Sequence, residues 1–275
     1  MQNALEFVFY AVCMLSPVAA RQIRPRVVGG IPDDEYEFPF AVMLQFATPP
    51  MARTCSGSLI TPTWVLTAGH CTPPNVDIIK NIIRVKYGDT TIPSNETKFF
   101  SIIIKTVHHP SFKHINKRLY NDIGLMKIER IRNTPITKLS GTDYLAWMGL
   151  PVKYAGFGRT KLLLKGEKVP KTVDVINDLE PALRMGEAVV ISCKQNGGMM
   201  YGRPNICIAP RCGPHQQPYF GDSGGPLVYD GRLIGVCSGA TDDSFALRVP
   251  LVAYTPVSPY LDWIYDTIHS DKENI

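Results

Sequence analysis

Gly221-Asp222-Ser223-Gly224-Gly225-Pro226 is the stretch whose reading decides this fold. Two glycines flank an Asp-Ser pair, and a third glycine and a proline follow at once. Glycine lets a backbone approach a ligand closely and adopt dihedrals that a side chain forbids. Adjacent backbone N–H groups in such a turn can converge on one point and stabilise a developing oxyanion. A serine held there becomes a nucleophile if a base takes its proton. Two upstream stretches supply the missing types. Leu66-Thr67-Ala68-Gly69-His70-Cys71 carries a histidine that can act as base, and Asn121-Asp122-Ile123-Gly124-Leu125 carries a carboxylate that can orient it.

In the order His, Asp, Ser, the three motifs resemble the signature of the chymotrypsin/trypsin-like (S1) serine peptidases. Subtilisin and the α/β-hydrolases use other orders. Gly124 stands where that family usually has alanine or another small residue. The resemblance implies that Ser223 attacks a peptide carbonyl, His70 shuttles the proton, and Asp122 holds His70. The backbone N–H groups of Gly221 and Ser223 would form the oxyanion hole. It also implies a zymogen. Residues 21–26 would be an activation peptide cut after Arg26, and the freed amino group of Val27 would pair with Asp222. Two disulfides follow from the same resemblance, Cys55–Cys71 and Cys193–Cys207. Cys212 and Cys237 are then left, either as a third bridge or as two free thiols.

The chain has 275 residues, 45% hydrophobic, with 23 prolines and 22 glycines, enough for a large core and one or two domains. Its formal charge of +5 is not concentrated in Lys/Arg runs interleaved with aromatics, which argues against a nucleic-acid partner. No CxxC or HExxH spacing is present, so neither a metal nor another cofactor is expected. Residues 1–20 read as a secretory signal: Ala4–Ala20 is mostly apolar and ends in the small residues Val18-Ala19-Ala20. Pro17 interrupts the run, and its length is short for a membrane span. Secretion makes disulfides the default for the six cysteines beyond Cys13. Asn95-Glu96-Thr97 is an N-glycosylation sequon between two expected strands.

From Val27 onward, short apolar runs alternate with Pro, Gly, Asn and Asp. Ala41–Phe46, Ser56–Ile60, Trp64–Thr67, Ile82–Tyr87, Phe99–Val107 and Ile123–Ile128 read as strands. So do Val152–Gly156, Val173–Ile176, Ala188–Ile191, Asn205–Ala209, Leu227–Tyr229, Leu233–Ser238 and Leu251–Thr255. The expected class is all-β: two packed six-stranded antiparallel barrels, about 27–145 and 146–258, within a peptidase domain over 27–275. A helix is expected over 259–270, with Leu261, Ile264, Tyr265 and Ile268 on one face. His70 and Asp122 fall in the first half and Ser223 in the second, so the site lies between them.

By resemblance, the primary specificity pocket has its floor at Gln217 and its lining at Ser238, Ala240 and Val252. A neutral glutamine gives no counter-charge for Arg or Lys. Tyr219 replaces a bridging cysteine, Gly239 a tryptophan, and Val252 a wall glycine. The implied protein is a monomeric, secreted serine endopeptidase, digestive or processing, taking small or hydrophobic residues at the cleaved position. Its partners would be protein or peptide substrates, a trypsin-like activating protease and protein inhibitors, with no membrane. The alternative is a protease-like binding or decoy protein with a closed pocket.

Overall fold

The apolar runs become strands because each can bury one face only by pairing with neighbours around a closed sheet. In the computed structural model of this chain, the described residues are 30–48, 51–73, 83–92, 96–116, 118–158, 182–195, 198–199, 204–211, 218–240 and 251–270. The first barrel consists of β1 (Ala41–Thr48), β2 (Met51–Thr61), β3 (Trp64–Thr67), β4 (Ile83–Lys86), β5 (Phe100–His108) and β6 (Gly124–Ile128). It closes in the order β1-β2-β3-β6-β5-β4, antiparallel throughout. The second consists of β7 (Pro151–Gly156), β8 (Arg184–Ile191), β9 (Ile206–Pro210), β10 (Pro226–Tyr229), β11 (Arg232–Ala240) and β12 (Val252–Pro256). Its pairings run β7-β8-β9-β12-β11-β10 and return to β7. The two barrels therefore share one strand order, although the sequence contains no recognisable repeat.

Both ends of the first half reach onto the second. Ile31–Pro32, ahead of the first barrel, pairs with β8, and Lys138–Leu139, after it, runs parallel to β11. The largest apolar cluster is continuous across the halves. It joins Leu44, Leu66, Ile103 and Leu125 of the first barrel to Ala155, Met185, Leu233 and Val236 of the second. Full burial of each large side chain here stabilises the fold by about 1.5–3 kcal/mol.

Every expected strand within the described residues is present, but two begin well before their expected starts, at Met51 in place of Ser56 and at Arg184 in place of Ala188; Val173–Ile176 lies outside the described residues. Ser258–Tyr260 forms a 3-10 turn and Leu261–Ser270 the helix α1. The expected apolar face needs one correction. Ile264 is buried and Leu261 and Ile268 pack on the core, but Tyr265 is 61% exposed and Trp263 packs in its place. The reason is local: the His109 ring meets Trp263 edge-on, whereas Tyr265 stacks on His269 at the surface. No helix among the described residues is long and apolar enough to cross a membrane.

Candidate active site

His70 sits in the 3-10 turn Gly69–Cys71 that follows β3. The turn is stapled to β2 by the disulfide Cys55–Cys71. Sγ atoms and the His70 ring lie within 4.8 Å of one another, but the sulfurs are bonded to each other, so the group is a staple and not a ligand set. Asp122 is the middle residue of a three-residue turn in which the Ile123 N–H donates to the Asn121 carbonyl (2.9 Å). Its carboxylate is 1% exposed and accepts three hydrogen bonds. Oδ1 accepts from the His70 backbone N–H (2.8 Å). Oδ2 accepts from His70 Nδ1 (2.8 Å) and from Ser238 Oγ (2.6 Å). A carboxylate only accepts, so the His70 proton resides on Nδ1 and Nε2 is the basic nitrogen. The Asp122 carbonyl is bound as well, by Thr255 Oγ1 (3.0 Å). Burial without these donors would cost several kcal/mol.

The loop that carries Ser223 is anchored by its backbone. The Ser223 carbonyl accepts from the Ser56 N–H (2.7 Å) and lies 3.9 Å from Cys71 Sγ, which sets the serine against the His70 turn. The N–H groups of Gly224 and Gly225 donate to the carbonyls of Cys237 (2.7 Å) and Asp222 (2.8 Å). Gly224 has φ +83°, and a side chain there would strike Thr67 Oγ1 and the Ser56 carbonyl. Gly221 has φ +104°, and a Cβ there would meet Gly158 Cα at 2.8 Å. Among the described residues no hydrogen bond engages the N–H of Gly221 or Ser223.

Asp222 turns inward. Oδ1 accepts from the Gly158 N–H and Oδ2 from the Tyr219 N–H, both at 2.8 Å. Burial nevertheless pushes its carboxyl up to about 7.

The structure thus brings Asp122 onto His70 and sets the backbone of Ser223 against Cys71, the neighbour of His70, while Asp222 points to Gly158 and Tyr219. Ser238, read as pocket lining, donates its hydroxyl to Asp122. Val252 is 1% exposed in the core of the second barrel with Tyr154, Cys237 and Tyr254, and pairs with Ala240 and Ile208. Both expected disulfides are formed. A third bridge is not: Cys237 is a buried free thiol, because its place on β11 faces the core opposite Tyr254. Arg26, Val27, Asn95, Cys212 and Gln217 lie outside the described residues.

Sequence reasoning missed three supporting residues. Ser56 Oγ donates to the Gly221 carbonyl and accepts from the Phe157 N–H, both at 3.0 Å. Thr255 holds the Asp122 carbonyl, and Tyr260 donates to Asn121. The only signal for them was closeness to features already read: Ser56 follows Cys55, Thr255 ends the expected strand Leu251–Thr255, and Tyr260 lies in the expected helix over 259–270.

The chain is similar to known proteins in sequence and in fold. The sequence matches the Trypsin family profile over residues 27–264. It is similar to CLIP domain-containing serine protease B4 of Anopheles gambiae, 30% identical over 279 residues, covering 92% of this chain and 73% of the relative. It is 28% identical over 265 residues to Trypsin-3 of Salmo salar, covering 95% and 100% of the two chains. The solved structure of HL collagenase shares the fold, with a TM-score of 0.65 and 22% identity, over 88% of this chain and 98% of that one.

Proposed function

Because the chain belongs to the trypsin family of serine endopeptidases, we propose that Ser223, His70 and Asp122 are its catalytic triad and that it is a secreted zymogen cut after Arg26. The observation that carries the proposal is the Asp122 carboxylate, buried and holding both the backbone and Nδ1 of His70. A histidine fixed in that tautomer presents Nε2 as base. Ser223 attacks the peptide carbonyl as His70 takes its proton, and the imidazolium is stabilised by Asp122. The proton then passes to the leaving amine. Water, deprotonated by the same histidine, hydrolyses the acyl-enzyme.

The N–H groups of Gly221 and Ser223 are the oxyanion donors, and each such donor is worth roughly 3 kcal/mol. The bonds of Ser56 and Asp222 to this loop support their positions. In the cut chain the Val27 ammonium pairs with Asp222. A buried carboxylate whose pKa is raised to about 7 is the group that gains most from a cation. A neutral Gln217 supports cleavage after small or hydrophobic residues in extracellular digestion or processing. Fluorophosphonate labelling of the cut protein tests the reading. Adduct formation on Ser223, absent in Ser223→Ala, is expected. No adduct in a protein with a verified Val27 terminus would instead favour a binding or decoy protein.

A further inference from the structure

Asn121 precedes Asp122 and has φ +49°, in the left-handed region that asparagine adopts more readily than other non-glycine residues. Both ends of its side chain are held. Nδ2 donates to the Ser111 carbonyl (2.9 Å), and Oδ1 accepts from the Tyr260 hydroxyl (2.8 Å). The second bond spans 139 positions of sequence. Tyr260 is 4% exposed and ends the 3-10 turn that leads from β12 into α1.

The surroundings fix Tyr260 in turn. The His109 ring meets it edge-on at 5.0 Å and meets Trp263 of α1 at 5.1 Å. His109 Nδ1 accepts from the Ser111 N–H (3.1 Å), so the ring has one orientation and Ser111 is set for Asn121. Burial holds the His109 imidazole below its usual range, which keeps that nitrogen free to accept. The His109 N–H donates to the Ile123 carbonyl (3.0 Å), closing the ring of contacts on the far side of Asp122.

We propose that Tyr260 is a positioning residue of the reaction: through Asn121 it sets the turn that presents Asp122 to His70, which makes the C-terminal segment part of the catalytic apparatus. The inference rests on the triad reading above. It assigns no contact with substrate to Tyr260. The residue acts by fixing where the carboxylate stands, and small misplacements of such groups have large effects on rate.

The test is Tyr260→Phe, which keeps the ring and removes one hydroxyl. In protein cut after Arg26, kcat is expected to fall about fivefold, the equivalent of one hydrogen bond, with KM unchanged. The acid limb of kcat/KM is expected to move to lower pH, because a displaced Asp122 stabilises the His70 imidazolium less. Asn121→Ala combined with Tyr260→Phe is expected to cost no more than Asn121→Ala alone. A second readout needs no turnover: the His70 Nδ1 proton resonance, observed by NMR in the Ser223→Ala background, should move when Tyr260→Phe is added, because its hydrogen bond to Asp122 changes. An unmoved Nδ1 proton resonance, or loss of activity that follows thermal stability with an unmoved acid limb, overturns the proposal. Wild-type protein that neither labels with fluorophosphonate nor cleaves overturns the triad reading instead. Full wild-type activity with no effect of Tyr260→Phe overturns the positioning role alone.

Discussion

Asp222 makes the stability of the uncut chain depend on pH in an unusual direction. Its carboxyl is 2% exposed, and burial raises it from the ordinary 3.8 to about 7, despite the N–H groups of Gly158 and Tyr219. A carboxyl with a raised folded pKa holds its proton more tightly folded than unfolded. The folded state is therefore favoured while the group stays protonated, and this advantage declines as pH rises from 3.8 through 7. A rise of about three pH units corresponds to about 4 kcal/mol in all, at roughly 1.4 kcal/mol per unit. About 3 kcal/mol of it is lost between pH 5 and 8. His109, whose pKa is lowered, acts in the opposite sense, so the comparison must be a difference between variants. The assay is urea unfolding of the Ser223→Ala protein at several pH values, uncut and cut after Arg26, each with and without Asp222→Asn. Uncut protein should lose about 3 kcal/mol relative to its Asp222→Asn counterpart as pH rises from 5 to 8. After cutting, the proposed pairing of the Val27 ammonium with Asp222 should make this relative loss vanish. Curves that run parallel in all four proteins would refute the reasoning.

Other outcomes follow from the same contacts. Ser238→Ala removes one of three donors to the Asp122 carboxylate and should cost about 2 kcal/mol in urea unfolding; no change would mean that the bond contributes nothing. Gly186→Ala places a methyl group on the ring and hydroxyl of Tyr154, so a loss of about 1–3 kcal/mol is expected. Adding Tyr154→Leu should recover most of that loss, and its failure to do so would locate the strain elsewhere. Cys237 is 3% exposed and its thiol is pushed up by burial, so iodoacetamide should modify it only after unfolding. Modification in native protein, or recovery of Cys237 in a disulfide, would contradict its place in the core.

The catalytic candidates were legible because each is framed by its own neighbours: the glycines around Ser223, Gly69 beside His70, and Asn121 before Asp122. Strand positions were legible because short apolar runs sit between turn residues, but the inward face was not always legible: in Phe100–Ile104 the buried side chains are Ser101 and Ile103, while Phe100, Ile102 and Ile104 are exposed. The supports of the site were not legible. Thr255 reaches Asp122 across 133 positions, and Ser56 reaches Gly221 across 165. Such hydroxyl-to-carbonyl bonds exist only once both barrels are closed. Tyr265 was misplaced because helical spacing defines a stripe but not which of its edges meets a neighbour; Trp263 meets His109 instead. Counting cysteines suggested a partner for Cys237, whereas its burial beside Tyr254 shows a small core side chain. The two barrels' common strand order left no trace in the sequence, because it is carried by pairing and not by residue identity.

The most direct test of the account is a peptide-library cleavage profile of protein cut at the Arg26–Val27 bond, with Ser223→Ala as control. The account predicts cleavage by the wild type and none by the control, with small or hydrophobic residues before the cut bond and no preference for Arg or Lys. Intact peptides after a verified cut at Val27, or equal cleavage by Ser223→Ala, would contradict it.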